Sequence, residues 1–135
     1  MDREITGREF FLAARSLVGI PFLYRGRSRQ GVDCGGMLIV MAKELEIISS
    51  EFDRVYDIQD SYAGLHQTLS EFADEIQEGE PNREGDIWTY SFSGDMHAHC
   101  AVYSPSENVV VHAYPVVEAV AEHSASGKWI KRVHK

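Results

Sequence analysis

The apolar positions of this chain change period part of the way along it. From Gly7 to Leu17 they recur at helical spacing, with Phe10, Phe11, Ala13, Ala14 and Leu17 on one side. Thr6 followed by Glu9 three residues later reads as a capping box, and Gly19 and Pro21 mark the stop. The polar, Gly- and Arg-rich segment Arg25 to Gly31 predicts a loop. A second helix is predicted from about Cys34, with Asp33 in the N-cap position and Met37, Leu38, Met41 and Leu45 as its apolar face. Ser49 to Asp60 is polar and irregular. A third helix is predicted over Ser61 to Gln77, with Leu65, Leu69, Phe72 and Ile76 as its stripe. Gly79 to Gly85 reads as a loop.

Beyond that loop the spacing becomes that of strands. Asp86 to Tyr90, His99 to Ser104 and Val109 to Tyr114 are predicted strands, the last two joined by the turn Pro105-Ser106-Glu107-Asn108. Val116 to Val120 and Trp129 to Val133 are weaker strand candidates. Helices first and strands afterwards predict an α+β fold with an antiparallel sheet. The 135 residues fit one domain, 1–135, and can bury about two-thirds of the unfolded surface.

Composition narrows the function classes. A net charge of -8 argues against a nucleic-acid partner, although Arg25, Arg27 and Arg29 form a local basic patch. No stretch approaches the ~20 apolar residues of a membrane span, and MDREITGREFF does not read as a signal peptide. Two cysteines make no disulfide framework, and no C-x-x-C pair is present. The expected location is therefore the cytosol, or a target to which something else carries the chain.

The sharpest chemical feature is Gly31-Val32-Asp33-Cys34-Gly35-Gly36, which opens the second predicted helix. A thiol at a helix N-terminus feels the positive end of the macrodipole, which favours thiolate, and amides there can hold an oxyanion. Gly35 and Gly36 leave the backbone open to close approach. The bland alternative is a buried structural cysteine. The second feature is His97-Ala98-His99-Cys100-Ala101-Val102-Tyr103. Strand alternation puts His97 and His99 on one face and Cys100 on the other, which makes Cys100 a core residue. A strand histidine facing the cysteine would act as its base, and His99 lies deeper in the strand than His97. The third feature is His112, thirteen residues after His99 on the next strand, where it could bond His99 Nδ1 and fix its tautomer. A rim histidine bonded to backbone is the alternative. Cys34, His97, His99, His112 and His123 could also be read as zinc ligands, but no tight paired spacing supports a metal, and no cofactor is expected.

At these residues the chain resembles the NlpC/p60 family of papain-like cysteine peptidases, which cut the peptide stems of bacterial cell wall. The resemblance runs through five ordered elements: Gly19-Ile20-Pro21-Phe22-Leu23-Tyr24-Arg25-Gly26, Asp33-Cys34-Gly35-Gly36, Glu84-Gly85-Asp86-Ile87, His99-Cys100-Ala101-Val102-Tyr103 and Val111-His112-Ala113. It implies a nucleophile helix packed on a C-terminal antiparallel sheet, Cys34 as nucleophile, His99 as base and His112 as orienting residue. It further implies substrate contacts from Asp33, which would meet a free amine, from Tyr24, and at Gly35, which stands where a serine is commoner. Phe22 occupies a position where the family often has a tyrosine. The segment from Ala13 to Leu38 is similar to the phage-type branch, which implies a phage tail or tail-like particle as partner and location. The function implied is cleavage of amide bonds in peptidoglycan stem peptides. Two other readings are a structural tail-tip module with little activity and a relative acting on another acyl group.

Overall fold

The computed structural model describes residues 5–47, 80–92 and 97–125. The predicted helix over Ser61–Gln77 and the predicted strand over Trp129–Val133 lie outside the described residues. The elements run α1 (Gly7–Arg15), β1 (Arg27–Ser28), β2 (Gly31–Val32), α2 (Cys34–Glu44), β3 (Asp86–Phe92), β4 (His97–Ser104), β5 (Val109–Tyr114) and β6 (Ala119–Ser124). Helices precede a four-stranded antiparallel meander in the order β3-β4-β5-β6, which is the α+β arrangement that the change of period predicts.

α1 begins on the capping box, with Thr6 accepting from the Glu9 N–H and Glu9 bonding back to the Thr6 N–H. It ends at Arg15, two residues before the predicted Leu17, which is reached through a tighter turn with its N–H on the Ala14 carbonyl. Phe11, Ala14 and Leu17 are fully buried. Burial of a side chain such as Phe11 or Leu17 contributes roughly 1.5–3 kcal/mol. Phe11 is also flanked by the guanidinium groups of Arg15 and Arg8, 4.8 and 5.4 Å from its ring centre.

α2 departs from the single apolar face predicted for it. Every residue from Cys34 to Ala42 is buried, Ile39 and Val40 included. It packs against α1, the β1–β2 hairpin, β4 and β5, and a helix enclosed on all sides is apolar all round. Gly36 is required here because a Cβ would lie 1.8 Å from the Gly26 carbonyl oxygen, which brings the loop onto the first turn of the helix.

The sheet has two apolar faces. Ile87, Cys100, Val102, Val111, Ala113 and Val120 join the helices in the main core. Trp88, Ala101, Tyr103, Val110 and Ala125 form a smaller cluster, with the Trp88 and Tyr103 rings 4.1 Å apart. This division follows strand alternation. The strand predicted at Val116–Val120 is displaced. Val116 and Val117 are exposed in a turn where Glu118 takes a positive φ, and β6 runs on to Ser124. A tight reversal after Tyr114 needs those residues, so their β-branched character is overridden by the turn. The segment that follows α1 lies along β6, with Pro21 bridging to Ala119 and Phe22 to Val32 of β2.

Pairing within the meander is uneven. β3 and β4 stay in register from Asp86↔Tyr103 to Phe92↔His97. β5 and β6 pair from Val109↔Ser124 to Tyr114↔Ala119. Between β4 and β5 the ladder holds only Ser104↔Val109, Tyr103↔Val110 and Val102↔Val111. The pairing ends at Val102↔Val111, short of His99 on β4 and His112 on β5.

Candidate active site

Asp33 starts α2 as predicted. Its Oδ1 accepts from the Gly36 N–H at 2.6 Å, and its Oδ2 accepts from the Arg25 N–H at 2.9 Å. The carboxyl is nearly fully buried, and burial pushes its pKa up against the lowering effect of those two amides and of Arg27. Arg25 takes a positive φ of 64°, and its guanidinium lies over the exposed Tyr24 ring, 5.3 Å from the centre. Tyr24 and Asp33 are thus linked through Arg25. Gly35 is buried in the first turn. Phe22 packs half-buried against the main core.

Cys34 follows directly and is fully buried. Two consecutive residues of β4 reach it. The Cys100 thiol neighbours its sulfur, and His99 lies within hydrogen-bonding reach. Alternation alone would send His99 and Cys100 to opposite sides of the sheet. Both meet Cys34 in a stretch of β4 that lies beyond its last paired residue with β5, Val102, where α2 packs against both strands. The sequence reading of Cys100 as a core residue holds, for it is fully buried, but its contact with Cys34 is an addition. Its Sγ donates to the Cys34 carbonyl oxygen at 3.3 Å.

These neighbours set the thiol. The Cys100 thiol is the largest influence lowering the Cys34 pKa. Burial opposes it, and His99 lowers it further by hydrogen bonding and charge, with the net direction downward. Cys100 moves the other way, held well above an ordinary thiol by Cys34 and by burial. Cys34 is therefore the sulfur that ionises, and Cys100 remains S–H.

His99 of β4 and His112 of β5 bond to each other, with His99 Nε2 2.7 Å from His112 Nδ1. This corrects the expected use of His99 Nδ1. The nitrogen turned to His112 is Nε2, which leaves Nδ1 to exchange a proton with sulfur. His112 is fully buried, and burial, then the positive charge of His99 and of His123, press its pKa down to about 3. It is neutral wherever the enzyme chemistry of a thiol operates. Two further rings enclose it. Tyr114 stacks on it at 4.8 Å, and His123 of β6 meets it edge-on at 4.9 Å. The sequence reading named His123 only among possible zinc ligands and did not single out Tyr114. The signal for Tyr114 was present, since two residues along a strand return to the same face. The placement of His123 depends on the β5–β6 register, which pairs it with Val110.

The His97 side chain lies outside the described residues. Among the described residues, no three His, Cys, Asp or Glu side chains converge to hold a metal ion, and no helix is long and apolar enough to cross a membrane.

Models of known protein families do not match this chain, and neither do curated protein sequences. Solved structures do match. The NlpC/p60 domain of the peptidoglycan hydrolase SagA superposes with a TM-score of 0.66 at 16% identity, over 97% of this chain and 99% of that one. NlpC2 from Trichomonas vaginalis gives 0.71 at 16% identity, covering 100% of this chain and 47% of that chain. The peptidoglycan hydrolase RipB from Mycobacterium tuberculosis gives 0.62 at 15% identity, covering 95% and 63%. The chain therefore spans almost all of one isolated NlpC/p60 domain and about half of a longer protein that contains one. It has the papain-like NlpC/p60 fold, with α2 packed on the antiparallel sheet β3–β6.

Proposed function

We propose that this protein is a cysteine peptidase that hydrolyses amide bonds in the peptide stems of peptidoglycan. The observation that carries the reading is the line Cys34–His99–His112, in which a thiol at a helix start, an imidazole and a second, neutral imidazole follow one another in bonding reach. Two neighbours in fold, SagA and RipB, are described as peptidoglycan hydrolases, which supports the choice of substrate.

The chemistry follows from those atoms. With Cys34 ionised, His99 holds the proton on Nδ1 and directs its Nε2–H to the His112 Nδ1 lone pair. Neutral His112 then fixes the tautomer and orientation of the base. The thiolate attacks the amide carbonyl carbon and forms a C–S bond. Negative charge moves to the oxygen, where amides of the first turn of α2 stabilise it; the Gly36 N–H already serves Asp33, which points to Gly35. His99 gives its Nδ1 proton to the leaving nitrogen as the C–N bond breaks. A water, deprotonated by His99, then cleaves the thioester and restores the thiol.

Asp33 and Tyr24 are the substrate contacts we propose, joined by Arg25. Delivery by a phage tail or tail-like particle is proposed from the resemblance over Ala13–Leu38. None of the neighbours named above is described as a particle protein. Digestion of purified peptidoglycan, with soluble products identified by mass spectrometry, tests the activity. Release of stem fragments split at an internal amide is expected, and no release would contradict it.

A further inference from the structure

The mechanism makes no use of one buried nucleophilic group, Cys100. It is fully enclosed, belongs to the main core and stands next to the catalytic base in sequence. Packing alone would be met at this position by alanine or valine, as it is at Ala101 and Val102 beside it. A thiol adds one hydrogen-bond donor, and the structure directs it at Cys34, with Sγ 3.3 Å from the Cys34 carbonyl oxygen. The same thiol borders the Cys34 sulfur.

We infer that Cys100 is a positioning residue of this site, a thiol donor that fixes the first residue of α2 against β4 and then solvates the Cys34 thiolate. The inference rests on Cys34 being the nucleophile. One proton serves two acceptors on a single residue in turn. In the resting thiol form it sits on the Cys34 carbonyl. When the sulfur ionises, the S–H turns to the stronger, charged acceptor. No bond is made or broken in Cys100. The arrangement compensates for the full burial of Cys34, which by itself disfavours a charged sulfur. It also makes β4 a two-residue clamp, with the base from His99 and the donor from Cys100 held by one stretch of backbone.

The test is alkylation of Cys34 by iodoacetamide followed against pH, with the modified residue identified by peptide mass. It compares the native chain with Cys100→Ser, Cys100→Ala and Cys100→Val. Losing a hydrogen bond to a charged group in the Ala and Val variants raises the Cys34 midpoint by about one pH unit, and slows alkylation below it about tenfold. Serine keeps a donor and restores most of the native midpoint. Ala and Val leave different volumes without a donor, so the comparison survives if one of them fails to fold. Identical midpoints in all four folded proteins would overturn the role. A native Cys34 that titrates like an ordinary thiol would instead overturn the nucleophile reading, and this inference with it.

Discussion

His99 Nε2 and His112 Nδ1 lie 2.7 Å apart, joining two strands at the point where their backbone ladder has ended. A side-chain bond thus links β4 and β5 beyond their last paired residues. The two rings meet at 68°, edge toward face, so the bond aims one ring at the other's nitrogen rather than stacking them.

That bond gives the first prediction. His112→Ala leaves the base with no fixed tautomer and empties a fully buried site, so peptidase activity falls by two or more orders of magnitude and stability drops. His112→Asn retains an acceptor and keeps more activity than Ala. The ratio of kcat for the two variants checks this. Equal losses would deny His112 an orienting role.

The pH profile follows from the shifted groups. Cys34, lowered first by the Cys100 thiol and then by His99, titrates at about 6. Its reactive thiolate is present above that pH and is lost as pH falls through it. His112, at about 3, stays neutral over this range and adds no inflection. The acid limb of kcat/KM is therefore expected near pH 6. A limb near the ~8.5 of a free thiol would show that Cys34 is not activated.

Asp33 acts on both structure and charge. Asp33→Ala removes the cap on Gly36 and the bond to Arg25, at a cost of about 0.5–2 kcal/mol for the cap. The Asp33 charge also raises the Cys34 pKa, so Asp33→Asn should lower it. Faster alkylation of Cys34 by the Asn variant at pH 5, with a reduced melting temperature, is the expected pair of results.

Acid stability has a surface component. Arg15 and Arg8 hold the Glu107 carboxyl at about 2, against an ordinary 4.5. The native state binds its proton less readily than the unfolded chain. The contribution is therefore complete above the unfolded value and fades as pH falls from about 4.5 toward 2. Glu107→Gln should flatten unfolding stability across that window, with a modest loss at pH 7 and little change once pH has fallen to about 2. Hydrogen bonds from Arg15 also reach Glu122, and Arg8 reaches Glu84, so the network ties α1 to the sheet. An unchanged acid profile in the variant would remove Glu107 from this account.

Local pattern revealed much of the fold. The capping box, the Asp33 cap and the strands around His99 and His112 all depend on short-range chemistry, and all stand where the sequence places them. Val116 and Val117 misled because β-branched residues can occupy an exposed turn when the chain must reverse. The enclosure of α2 was hidden because burial on a second side is set by distant partners, here the β1–β2 hairpin and α1. The three members of the proposed catalytic line were legible by residue type and order. The nitrogen used between the histidines was not, nor the Cys100 contact, since both depend on how elements distant in sequence pack together. Gly35 and Gly36 look alike in sequence, yet it is Gly36 that the Gly26 carbonyl approaches too closely for any side chain.

The central claim is that the Cys34 sulfur cleaves stem peptides. Native protein and Cys34→Ala, each shown to be folded, are incubated with purified peptidoglycan, and the soluble products are identified by mass spectrometry. Internal cleavage of stem peptides by the native chain and none by the variant is the predicted result. Equal product release from both would contradict it.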